Sequence, residues 1–96
     1  MEVVISERAL VDVDKIVDYI SEQGYPETAL KYANRTYDFC LTINNFPLKY
    51  NLCKYATYRK YGYRCAIFEN TYVIAFKIEK GKMIVIKRII HGNRLS

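Results

Sequence analysis

The hydrophobic period of this chain changes near its midpoint, and its charge changes with it. In the first half apolar side chains recur every three or four positions, the spacing of a helix face; in the second they alternate, the spacing of a strand. Over residues 7 to 23, Leu10, Val13, Ile16, Val17 and Ile20 line one side of a helix, with Asp12, Asp14, Lys15, Asp18 and Glu22 on the solvated side. Ser6 is placed to cap that helix, Glu7 puts a carboxylate at its positive end, and Gly24 stops it. Pro26, whose missing amide proton would have no acceptor in a first turn, opens a second helix. That helix carries Ala29, Leu30, Ala33, Tyr37, Cys40, Leu41 and Ile43 and ends at Asn44-Asn45 before Phe46-Pro47. So short a connection allows only an antiparallel hairpin.

Beyond a looser stretch from Leu48 to Lys54, strand patterns appear weakly over residues 55 to 59, then over 63 to 68, 72 to 78 and 83 to 90. Turns at Glu69-Asn70 and at Glu79-Lys80-Gly81-Lys82 make the last three an antiparallel meander. Tyr72, Ile74, Phe76 and Ile78 share the face expected beneath the helices, and Val73, Ala75, Lys77 and Glu79 share the other. With a β-prone run at Glu2–Ile5, the expected class is α+β. Residues 1 to 48 carry four basic and eight acidic side chains, net −4, and residues 49 to 96 eleven basic and two acidic, net +9. The positive field therefore belongs to the sheet layer, which suits an anionic partner.

Ninety-six residues make one domain spanning 1–96, since two cores would leave about 50 residues each, near the lower limit for independent folding. No window approaches the run of about 18 apolar residues that a membrane span needs, so no membrane partner is expected. Glu2 and Glu7 stand where a signal peptide would be basic, which makes the cytoplasm the default location. Cys40, Cys53 and Cys65, an odd number at spacings of 13 and 12, match neither a disulfide framework nor a zinc site and are expected to pack in the core. With a single histidine, no metal or other cofactor is expected.

Two constellations could carry chemistry. In the first, Lys49, Tyr50, Lys54, Tyr55, Tyr58, Arg59, Lys60, Tyr61, Tyr63 and Arg64 interleave cations with five of the ten tyrosines. Cations attract phosphate and tyrosine faces stack on bases or guanidinium groups, so nucleic acid fits, as do an acidic protein and a plain solvated rim. The second runs from Lys87 to Arg94. Alternation puts Lys87, Ile89 and His91 on one face, and Arg88 with Ile84, Ile86 and Ile90 on the other. If His91 met Arg64 across the sheet, a proton-carrying group beside fixed positive charge could cleave RNA. A histidine at a strand end can equally be a hydrogen-bonded structural residue. The sequence holds no phosphate loop, nucleophile elbow or paired carboxylates in the basic half.

The order of these pieces resembles the RelE/ParE superfamily, the toxins of bacterial type II toxin-antitoxin modules. The resemblance runs over nearly the whole chain: a first strand, Arg8-Ala9-Leu10-x-Asp12-x-Asp14-x-Ile16-x-x-Tyr19-Ile20, a second helix ending in Phe46-Pro47, Gly62-Tyr63-Arg64, and Ile86-x-Arg88-Ile89-Ile90-His91-Gly92-x-Arg94. It implies an N-terminal strand and α-helical hairpin packed on a twisted antiparallel sheet, with a cognate antitoxin that neutralises the toxin in a hetero-oligomeric complex. It implies either of two targets: RelE-like members cut messenger RNA on the ribosome without a metal, and ParE-like members poison DNA gyrase. By resemblance Arg64, His91 and Arg94 would be catalytic in a ribonuclease, and Arg59, Lys60, Tyr61, Tyr63, Lys87 and Arg88 would hold the target. The chain stops two residues after Arg94, without the C-terminal tyrosine helix of several nucleases, and lacks an acidic base ahead of Gly62. The ParE-like side is therefore favoured, with the ribonuclease and a non-toxic RNA-binding module as alternatives.

Overall fold

A computed structural model describes residues 1–94, with Arg94 described in its backbone alone. Strand β1 (Glu2–Ile5) leads into helices α1 (Glu7–Glu22) and α2 (Pro26–Thr42), then into two 3-10 turns, Ile43–Asn45 and Pro47–Lys49. The short helix α3 (Ala56–Lys60) precedes strands β2 (Arg64–Phe68), β3 (Tyr72–Glu79) and β4 (Met83–His91).

Local chemistry explains the helix ends. Ser6 Oγ accepts from the Ala9 amide at 3.1 Å and donates to the Lys87 carbonyl at 3.1 Å, so one hydroxyl caps α1 and ties it to β4. Gly24, at φ 96°, closes α1 with bonds from its own amide to Ser21 O and from the Tyr25 amide to Ile20 O, the paired pattern of a left-handed C-terminal residue. Pro26 stands in the first turn of α2, as expected. The hairpin meets through small side chains, since α2 buries Ala29, Ala33, Thr36 and Cys40. Leu10, Leu30 and Leu41, assigned by period to the apolar stripe, are 41%, 61% and 57% exposed. They lie outside the buried stripes, whose centres are Ala9, Val13 and Ile16 on α1 and Ala29, Ala33, Thr36 and Cys40 on α2.

The sheet order is β1-β4-β3-β2, with β1 parallel to β4 and the other three strands an antiparallel meander. Glu69 and Asn70, both left-handed at φ 49° and 57°, turn β2 into β3. As the alternation predicts, Ile74 and Phe76 are fully buried under the helices, in one core with Val13, Ile16, Ile43, Ile84, Ile86 and Ile89. Fully burying side chains of this size stabilises the fold by about 1.5–3 kcal/mol each.

Three local features of the fold differ from the sequence expectation. Residues 55 to 59 are no strand: α3 occupies most of them, and Gly62 at φ 80° ends it through Gly62 N to Arg59 O and Tyr63 N to Tyr58 O. A second departure is a bulge in β4, where Ala75 pairs with Arg88 but Phe76 pairs with Ile86, leaving Lys87 unmatched. Parity reverses there, so Ile89 and His91 share the inner face with Ile84 and Ile86, and Arg88 and Ile90 share the outer one. The third concerns the cysteines. Cys40 is a buried core residue as expected, but Cys53 and Cys65 are joined in a disulfide with Cα atoms 4.9 Å apart.

Burial pushes the Cys40 thiol from 9.0 up to about 12, and the same cause, with Glu69 next, pushes the Tyr32 hydroxyl from 10.0 up to about 12. Both folded-state values lie above the unfolded ones, so the stability these groups contribute is complete below about pH 9 and is lost as pH climbs towards 12. Urea unfolding between pH 9 and 11 should fall with a slope of up to about 1.4 kcal/mol per pH unit from Cys40. The Cys40→Ala variant should show a shallower slope, and an unchanged slope would refute the assignment.

Candidate target-binding surface

The outer sheet face is not open along its length. Val73 and Ala75 are 6% and 2% exposed, and a strap of residues 50 to 55 lines a groove together with Val73, Cys65 and Ile67. The strap is held to the start of β2 by Cys53 N to Tyr63 O at 2.9 Å and Cys65 N to Asn51 O at 3.2 Å, the pair of bonds that makes the Leu52–Arg64 bridge.

Strap carbonyls aim the two nearby arginines. Arg59 donates through Nε to Cys53 O at 3.1 Å and through Nη2 to Lys54 O at 2.9 Å, and Arg64 donates through Nη1 to Tyr50 O at 2.6 Å. These acceptors are neutral, so they orient the guanidinium groups without cancelling their charge. Arg59, Arg64 and Lys54 line one hollow of about 520 Å³ with Asn51, Leu52 and Cys53. Lysine ammonium groups lie over tyrosine rings around it: Lys54 over Tyr55 at 5.7 Å, Lys60 over Tyr61 at 5.8 Å and Lys77 over Tyr63 at 5.8 Å. Among the described residues no carboxylate pairs with Lys54, Arg59, Lys60, Arg64 or Lys77. Their charges add into one rim, and Tyr61, 57% exposed, stands on it.

Other expected site residues lie elsewhere or are already paired. Lys87 Nζ is 3.4 Å from Glu79 Oε1. Arg88 makes a two-point contact with Asp12, Nε to Oδ2 at 2.9 Å and Nη2 to Oδ1 at 3.3 Å, and that hydrogen-bonded carboxylate raises the guanidinium pKa further. Asp12, expected on a solvated helix face, is 6% exposed and also accepts the Ile89 amide at 2.9 Å. Because β1 ends at Ile5, β4 has no strand neighbour beside Ile89, and Asp12 supplies the missing acceptor.

Arg64 and His91 do not meet. Arg64 is opposite Phe76 and His91 is opposite Tyr72, four residues along β3 and two strand spacings across. With a rise of ~3.3 Å and a spacing of ~4.8 Å the backbones are roughly 16 Å apart. His91 stands edge-on to Tyr72 with ring centroids 5.3 Å apart, and its Nδ1 accepts the Asn93 amide at 3.1 Å. The Arg94 side chain lies outside the described residues. Two rim members, Lys54 and Lys77, were absent from the expected target-holding set. For Lys77 the signal was the outward alternation of β3, which leaves a lone cation two residues after the buried Ala75.

An α+β fold with a helical hairpin on a basic sheet and an arginine after a Gly-Tyr turn is the arrangement that the resemblance to toxins of type II toxin-antitoxin modules implies. Residues 3–95 match the family model described as the ParE toxin of the type II toxin-antitoxin system parDE, and the chain belongs to that family. It is a ParE-like toxin, and the ribonuclease alternative is not favoured. Among solved structures it resembles a chain of the chromosomal ParDE TA system from P. aeruginosa, at 23% identity, a TM-score of 0.80 and 95% coverage of each chain. Among curated proteins none matches it. At that identity the structural likeness carries the fold, and the family model carries the class.

Proposed function

We propose that this toxin inhibits growth by binding DNA gyrase through the basic rim, that it acts in the cytoplasm, and that a cognate antitoxin with an acidic segment neutralises it. The supporting observation is the rim: five cations without a carboxylate partner among the described residues, two of them aimed by strap carbonyls. Binding needs only complementary charge and a pre-set shape, and this surface offers both. A phosphate-cleaving reading would require a proton-carrying side chain near Arg64, and His91, at the far end of the sheet, is held by Asn93 and Tyr72.

The deciding experiment exposes the purified chain in parallel to gyrase supercoiling and to a translating ribosome system. Supercoiling should be inhibited, less so as salt rises, and the messenger should stay intact. Message cleavage with unaffected supercoiling would overturn the reading. His91→Gln should change supercoiling inhibition by no more than about twofold, because its ring serves the end of β4; a large loss in a folded variant would return His91 to the site.

A further inference from the structure

The Cys53–Cys65 disulfide crosses the base of the unit that presents the rim. Among the described residues the strap it fastens has two backbone hydrogen bonds to residues 63 and 65, and carbonyls of that strap hold Arg59 and Arg64. Releasing the sulfurs would leave that pair of backbone hydrogen bonds, with the arginines' own bonds to the strap carbonyls, to keep the arginines side by side.

The disulfide is approachable from the Cys65 side. Cys53 and Cys65 line an open groove of about 440 Å³ with Leu52, Tyr55, Ile67 and Val73, and Ile67 is 64% exposed. Cys53 is 1% exposed and Cys65 half-buried, so a reductant meets Cys65 first. Cys53 also lines the cationic hollow beside Lys54 and Arg59, which favours its sulfur as the departing thiolate. Cys40, buried on α2, takes no part. In a reducing compartment a disulfide is transient or redox-sensing rather than a permanent staple.

We propose that Cys53–Cys65 is a reversible thiol–disulfide site served by a dithiol reductant, and that its oxidised form holds Arg59 and Arg64 together in the rim. One thiolate of the dithiol attacks Cys65 Sγ; the S–S bond breaks and its electron pair leaves on Cys53 Sγ, which takes a proton from water. The second thiol then attacks the reductant's own sulfur in the mixed disulfide and expels the Cys65 thiolate, which is protonated in turn. Two electrons enter the protein, and the dithiol becomes a disulfide. The consequence for gyrase rests on the proposed function, whereas the site itself does not.

The test incubates the folded chain in buffers of defined dithiothreitol ratio, counts thiols by alkylation after rapid denaturation, and follows amide exchange and binding of inorganic polyphosphate. Reduction should proceed without denaturant and raise the thiol count from one to three. It should speed exchange of the Cys53 and Cys65 amides roughly tenfold with those of Ile74 and Ile86 unchanged, and weaken polyphosphate binding several-fold. The Cys53→Ser/Cys65→Ser variant should match the reduced chain and ignore dithiol; should it fail to fold, the two redox states of the unaltered chain still decide. Reduction only in denaturant, or identical exchange and polyphosphate binding in both states, would overturn the proposal. Polyphosphate reads the rim directly, so failure against gyrase would leave this result standing.

Discussion

Asp12→Ala should cost about 3–5 kcal/mol of folding stability, a large part of the roughly 5–15 kcal/mol that holds a domain together. The Asp12 carboxylate is 6% exposed and makes three hydrogen bonds, two with the Arg88 guanidinium and one with the Ile89 amide, and Arg8 Nε lies a further 3.8 Å away. Alanine would leave the Ile89 amide buried without an acceptor, where β1 no longer reaches, and would leave Arg88 without its counter-charge. Asp12→Asn keeps an acceptor for one of these donors and should recover part of the loss. Asp18→Ala, on the exposed side of the same helix, should stay within about 0.5 kcal/mol. Urea midpoints of the three variants check the ordering, and an Asp12→Ala cost below about 1 kcal/mol would mean that the contact is not formed in solution.

Asp12 also shows where reading by period stops. Helix periodicity placed it with Asp14 and Asp18, and its true role follows from where β1 ends relative to β4, a tertiary fact. The inner row of β3 was legible because burial on one face enforces strict alternation, and Ile74 and Phe76 keep it. In β4 the alternation failed after Ile86, because one unmatched residue reverses every side chain beyond it. Residues 55 to 59 looked extended because Tyr and Thr favour strands, whereas a left-handed glycine and the reach of Arg59 to the strap carbonyls decide for helix. The disulfide was illegible because spacing says nothing about which cysteines the turn brings together.

Within the candidate site, what was neighbouring in sequence proved neighbouring in space. Arg59, Lys60, Tyr61, Tyr63 and Arg64 occupy one end of the molecule. The error was to join them to His91. Strand β2 starts opposite Phe76, which is itself opposite Ile86 in β4, so Arg64 lies level with Ile86 across β3 and five residues short of His91.

The rim also yields the largest functional expectation. Lys54→Glu with Lys60→Glu should weaken supercoiling inhibition about 100-fold, with the thermal midpoint nearly unchanged. Both lysines are exposed and have no carboxylate partner among the described residues, so their reversal removes no ion pair seen there. Each reversal replaces attraction by repulsion at the edge of an interface, worth about 1.4 kcal/mol or tenfold, and two at separate positions multiply. Lys87 itself adds little to the field of the rim, since Glu79 already offsets its charge. A Lys54→Glu/Lys60→Glu toxin that inhibits gyrase as well as the unaltered chain at low salt would remove the rim from the target interface. Weakening that disappears as salt rises would instead mark long-range attraction, with the contact residues elsewhere.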